Sequence, residues 1–139
     1  MAKIHVWLKI FLMVLLIFSC EKTKHPVEDV YVNIYINLSD PQYFNLTATG
    51  NPVYITGGVK GIIVMRTSNY DFVAFDRNCP YQAEKKIAVK ITGDNLYARC
   101  DSCKSKFLMY DGSVVNGPSK YPLKSYQTSL TSNVLHIYN

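Results

Sequence analysis

Nine consecutive residues, Val30-Tyr-Val-Asn-Ile-Tyr-Ile-Asn-Leu38, alternate without a break. Val30, Val32, Ile34, Ile36 and Leu38 fall on one side of an extended chain, and Tyr31, Asn33, Tyr35 and Asn37 on the other. A period of two gives a strand with one face for a core, and it cannot be laid on a helix. Short apolar runs follow at close intervals: Val53–Ile55, Gly61–Arg66, Phe72–Phe75, Ile87–Ile91, Asn95–Ala98 and Val134–Tyr138. Gly57-Gly58, Ser68-Asn69, Gly93-Asp94 and Ser132-Asn133 supply turns between them. No stretch of a dozen residues repeats at helical spacing. The expected fold is all-β, an antiparallel sandwich or small barrel. Eleven tyrosines, all after Cys20, suit half-buried pleated surfaces.

The chain of 139 residues suggests one domain, preceded by a leader. Lys3 and Lys9 precede an unbroken apolar run from Ile10 to Phe18. Nine residues cannot cross a bilayer core, which needs about 20, but they suit the apolar stretch of a secretory signal. The run ends in Ile17-Phe-Ser-Cys20, which resembles a bacterial lipobox. The resemblance implies a lipoprotein signal peptide over 1–19, cleavage before Cys20 and acylation of that residue. The protein would then be lipid-anchored in a bacterial cell envelope, and Glu21 after the cysteine leans toward the outer membrane. The polar, Pro-containing stretch 20–29 reads as a tether, and 30–139 as the β domain.

Loss of Lys3 and Lys9 leaves thirteen Lys and Arg against ten Asp and Glu, a net charge of +3. The basic residues are scattered, with no run longer than two, so nucleic acid is a poor candidate partner. Export makes disulfides permissible, so Cys79, Cys100 and Cys103 need not be reduced. There is no paired-carboxylate set, no Ser–His–Asp set and no phosphate-cradling loop, since Gly57, Gly58 and Gly61 lack the spacing. The chain reads as a redox module or binding protein rather than a catalyst, with a protein partner that the sequence does not identify.

Cys79 follows the run Phe72–Phe75, and Cys100 follows Asn95–Ala98, so both sit on loops at strand ends, where sites are usually built. Cys79-Pro80-Tyr81, then Cys100-Asp-Ser-Cys103-Lys-Ser105-Lys-Phe107, then Gly117-Pro118 through Pro122-Leu123 and Tyr126, resemble the Rieske frame. In that family a C-x-H loop and a C-x-x-H-G-S-x-[FY] loop hold a 2Fe–2S cluster beneath a Pro-containing covering loop. The resemblance implies a Rieske-like β fold, with Ser105, Phe107, Gly117 and Pro118 around the site. Tyr81 and Cys103 stand where the two ligand histidines are expected, and Lys104 replaces a glycine. The histidines present cannot substitute. His5 leaves with the leader, His25 lies in the tether, and His136 belongs to the outward face of the last strand.

Three outcomes are open for this degenerate set. Cys79, Cys100 and Cys103 with a Tyr81 phenolate could ligate a 2Fe–2S cluster, and thiolates suit iron–sulfur chemistry. The same residues could hold a single zinc or iron, although structural zinc normally has four ligands. Alternatively no cofactor is bound and two thiols pair. In the parent fold two cysteines share one iron, so Cys79–Cys100 needs only modest adjustment to reach a Cβ separation of about 3.8 Å. Cys79–Cys103 is a second pairing, and Cys100–Cys103 would make a C-x-x-C redox pair.

Overall fold

The computed structural model describes residues 24–139, so the leader 1–19 and Cys20 lie outside the described residues. These residues form ten strands, all paired antiparallel. They are β1 (Asn33–Asn37), β2 (Pro52–Ile55), β3 (Ile62–Arg66), β4 (Phe72–Asp76), β5 (Lys90–Ile91), β6 (Tyr97–Arg99), β7 (Lys106–Leu108), β8 (Val114–Asn116), β9 (Ser125–Thr131) and β10 (Val134–Tyr138). Six of them make a large sheet in the order β1-β10-β9-β4-β3-β2, and the other four a small sheet in the order β5-β6-β7-β8. No helix among the described residues is long and apolar enough to cross a membrane.

The alternation that opens the domain behaves as expected. Val32, Ile36 and Leu38 are buried, while Tyr31 and Tyr35 face solvent. On β10 the inward residues are Leu135 and Ile137, and His136 lies on the outer face, hydrogen-bonded to Asn33 and stacked on Tyr35 and Tyr138. β3 is different, because Ile62, Ile63, Val64 and Met65 are all buried. Ile62 and Val64 join one core with Leu46, Phe72, Ala74, Tyr126 and Leu135. Ile63 and Met65 join a second core, with Phe75, Val89, Ala98, Phe107 and Leu123, between the large and small sheets. A strand covered on both faces reads as a continuous apolar run, as Ile62–Met65 does.

Three features depart from the sequence expectation. Pro41–Thr47 forms a 3-10 helix, started by the Asp40 carboxylate accepting from the Gln42 amide at 3.3 Å. Proline at the first helical position costs no hydrogen bond, which explains a helical turn without helical periodicity. Of the run Ile87–Ile91, only Lys90 and Ile91 enter a strand, while Ala88 makes an isolated bridge to Asn78. The described part of the tether is docked. Val27 is buried, His25 Nε2 hydrogen-bonds the Pro122 carbonyl at 3.0 Å, and Lys124 donates to the Glu28 carbonyl at 3.0 Å and to the Asp29 carboxylate. The Lys124 ammonium holds the Asp29 carboxyl below its usual range.

One buried carboxylate organises the end of β4, where the chain leaves the large sheet. Asp76, at the end of β4, has no exposed surface. It accepts from the Val59 amide at 2.6 Å, the Lys60 amide at 3.3 Å, the Asn78 amide at 2.7 Å and the Tyr126 hydroxyl at 2.7 Å. Gly58 packs so closely here that a Cβ would meet Asp76 Oδ2 at 2.3 Å. Burial, and then the bond to Asp76, hold the Tyr126 phenol well above its ordinary value of 10.0. The folded state therefore keeps this proton where the unfolded chain releases it. The stabilisation is complete below about pH 10 and declines as pH rises further. Tyr126→Phe should cost about 1.5–3 kcal/mol in urea unfolding at neutral pH, because it leaves a buried charge short of a donor. It should also flatten the alkaline decline in stability relative to the unmodified protein.

Candidate metal centre

The two cysteine loops leave the ends of strands that the second core holds together. After β4 the chain turns at Arg77-Asn78 and delivers Cys79, whose amide donates to the Ile87 carbonyl at 2.8 Å. Asn78 Nδ2 donates to the Ala83 carbonyl at 2.9 Å and pins the return of this loop. The second loop joins β6 to β7 as a tight turn. The Cys100 amide donates to the Ser105 carbonyl at 2.9 Å, and the Lys104 amide to the Cys100 carbonyl at 3.0 Å. Lys104 closes that turn at φ 63°, in the left-handed region. The frame expects glycine at this position, and a lysine there carries a conformational cost of about 1–2 kcal/mol. Asp101, paired with Lys90 at 2.7 Å, ties the turn to β5.

The three sulfurs converge. Cys79, Cys100 and Cys103 place their Sγ atoms within 4.8 Å of one another, and Cys79 and Cys103 lie 3.5 Å apart. Cys79 and Cys100 are buried members of the second core, whereas Cys103 is part-exposed. With metal–sulfur bonds of about 2.3 Å, two thiolates on one tetrahedral ion lie about 3.8 Å apart. The triangle therefore has the dimensions of a single coordination sphere. Cys79 is in hydrogen-bonding reach of both Cys103 and Cys100, so both of its disulfide pairings stay within reach of the geometry.

The surroundings differentiate the thiols. Burial, and then the hydrogen bond with Cys100, push Cys79 far above the ordinary thiol value, although the Tyr81 backbone works the other way. Partial burial also raises Cys103, but hydrogen bonds from the Ser105 side chain and backbone, and from Cys100 and Cys79, outweigh it. The net shift is downward. Ser105 Oγ lies 3.2 Å from the Cys103 sulfur and accepts from the Ser119 amide at 3.1 Å. In the thiol form Cys103 donates to this oxygen, and the Ser119 bond fastens the covering loop to the cysteine turn.

That loop needs Gly117. Its φ is +101°, and a Cβ there would stand 2.5 Å from Ser105 Cα. Phe107 is buried beneath the turn and Pro118 lies above it, lining a cavity of about 150 Å³ with Pro80, Tyr81, Gln82, Lys120 and Tyr121. Tyr81 is 38% exposed on that rim. Among the described residues, the side chains hydrogen-bonded to these sulfurs are the cysteines themselves and Ser105. One buried polar atom beside the site, Asn78 Oδ1, has no partner.

In the metal-free, reduced protein, iodoacetamide should modify Cys103 first, with Cys79 and Cys100 reacting only on unfolding. Peptide mass mapping reads the order. Gly117→Ala should raise the rate at Cys103 by displacing the covering loop from Ser105.

No protein-family model and no curated protein sequence matches this chain. Solved structures do. A cyanobacterial plasma membrane Rieske protein from Synechocystis PCC 6803 superposes with a TM-score of 0.55 at 16% identity, over 78% of this chain and 98% of that one. A chain of the oxygenase–ferredoxin complex of carbazole 1,9a-dioxygenase matches with a TM-score of 0.51 at 13% identity, over 78% of this chain and 28% of that one. At these identities the likeness is one of fold: this chain has the Rieske-like all-β architecture, with three cysteines gathered at its loop end.

Proposed function

We propose that this protein is a lipid-anchored envelope module that binds one thiophilic metal ion through Cys79, Cys100 and Cys103, in the place where a Rieske domain carries its cluster. The mutual approach of the three sulfurs, all within 4.8 Å, carries this reading. Thiolates bound to two different irons are separated by the iron–iron vector as well, so a triangle this small serves one metal. A 2Fe–2S cluster would need its second iron held without cysteine, with Tyr81 as the one side chain the frame offers. The cysteine set does not fit that demand, whereas it does fit zinc, iron or another soft-ligand metal. The fourth position belongs to Tyr81 or to water.

The protein's own residues have definite parts in this scheme. Cys79 and Cys100 supply buried sulfurs whose charge is costly without a cation. Cys103 supplies a part-exposed sulfur whose thiolate is favoured by its hydrogen bonds with Ser105. Gly117 and Pro118 limit the entry of water. A metal that cycles between oxidation states would make the site an electron-transfer centre, and zinc would make it a structural staple for a small domain. Anchoring at Cys20 and an outer-membrane location belong to the same proposal, supported by the apolar run that ends at that cysteine.

A second reading rests on the 3.5 Å approach of Cys79 and Cys103. In an oxidising compartment that pair closes to a disulfide, and Cys100 remains free. Cobalt(II) titration of the reduced protein separates the two. The metal reading expects saturation at one equivalent with sulfur-to-cobalt charge-transfer bands. It also expects affinity to fall by roughly tenfold or more in Cys79→Ser, Cys100→Ser and Cys103→Ser. Two irons and two sulfides per chain in protein purified without oxygen would overturn the single-ion assignment. A Cys79–Cys103 disulfide in protein isolated from cells, with no metal, would establish the alternative.

A further inference from the structure

The docked N-terminal strap and the cysteine loops meet at one end of the large sheet. The Asp76 amide donates to the Lys124 carbonyl at 2.8 Å, and from Asp76 the chain runs directly into Cys79. The strap is clamped at this level. Lys124 holds the Glu28 carbonyl and the Asp29 carboxylate, and His25 binds the Pro122 carbonyl with its ring edge-to-face on Tyr121, centroids 6.0 Å apart. Lys86, on the Cys79 loop, reaches Glu28 at 3.8 Å. β9 leads away from Lys124 to Thr131, about 20 Å along the strand. Tyr70 lies at that far end, beyond Phe72, whose carbonyl accepts from Thr128 of β9.

Chain length then fixes orientation. Four residues separate Cys20 from His25, and the five steps between them span at most about 17 Å. A lipid anchor on Cys20 would hold the cysteine-loop end near the headgroups and the Tyr70 end away. The near end has a fitting surface. The cavity between Pro80, Tyr81, Pro118 and Tyr121 opens there with Lys120 on its rim, and both tyrosines are 38% exposed. Aromatic bodies with polar tips, beside an ammonium on an apolar stem, suit the boundary between water and headgroups.

We propose that this end of the domain seats on the headgroup layer of the bilayer that holds Cys20, so that the three-cysteine site faces the membrane and the Tyr70 turn faces away. The proposal rests on the reading of Cys20 as the acylated residue, and its occupant is the lipid surface itself.

Tryptophan fluorescence tests it. Trp7, the one tryptophan of the chain, lies in the leader, so a tryptophan introduced into the mature protein reports alone. Mature acylated protein carrying Tyr121→Trp, Lys120→Trp or Tyr70→Trp is placed in phosphatidylcholine–phosphatidylglycerol vesicles with and without brominated acyl chains. Tyr121→Trp and Lys120→Trp should shift to the blue and lose intensity in brominated vesicles, while Tyr70→Trp should do neither. Lys120 is a surface position, so it keeps the test valid if Tyr121→Trp disturbs the strap. Equal quenching at both ends, stronger quenching at Tyr70→Trp, or no quenching at either end in protein whose intact mass shows acyl chains would overturn the orientation while leaving the anchor standing. An intact mass without acyl chains removes the anchor and the orientation with it, by a measurement separate from the fluorescence.

Discussion

The Asp76 carboxylate is the point on which this architecture turns. It ends a central strand of the large sheet, has no access to water, and gathers donors from the glycine-rich turn before β3, from the first residues of the Cys79 loop and from β9. A buried charge is tolerable only when its hydrogen-bonding capacity is met, and four donors meet it here. The same bonds fix the direction in which the chain leaves β4, and so the position of Cys79. Gly58 is part of this solution, because any side chain there would occupy the space of the carboxylate.

The site extends that logic outward. The cysteine turn keeps its shape through backbone hydrogen bonds, and it does so with Lys104 in a conformation better suited to glycine. Ser105 links the turn to the covering loop, and Gly117 allows the two to touch. The loops of this Rieske-like fold thus keep their shape, with three thiols gathered between them. That shape is built from main-chain bonds and from the Ser105 hydroxyl, which accepts from the Ser119 amide.

The sequence made some of this legible and hid the rest for physical reasons. Alternation over Val30–Leu38 gave β1 and its buried face directly, and the apolar runs gave β2, β3, β4 and β10. β9 carries the polar series Ser125-Tyr-Gln-Thr-Ser-Leu-Thr131, whose inward residues include Tyr126 and Thr128, so no hydrophobic period marks it. β7 has three residues, too few for a period to register. The meeting of three sulfurs rests on pairings between distant segments, and the resemblance of the loop frame was the one signal for it. The strap was hidden because its contacts come from His25, Asp29 and a nearly buried Lys124, residue types that ordinarily favour water.

The double burial of β3 has an effect on how the molecule comes apart. Ile62 and Val64 feed one core and Ile63 and Met65 the other, so a single five-residue strand is the wall between them. Neither half can melt while its neighbour stays whole, because the same backbone would have to be loose on one face and packed on the other. The domain therefore opens as one cooperative unit, and the amides of Ile62–Met65 are the last to exchange their hydrogens with solvent.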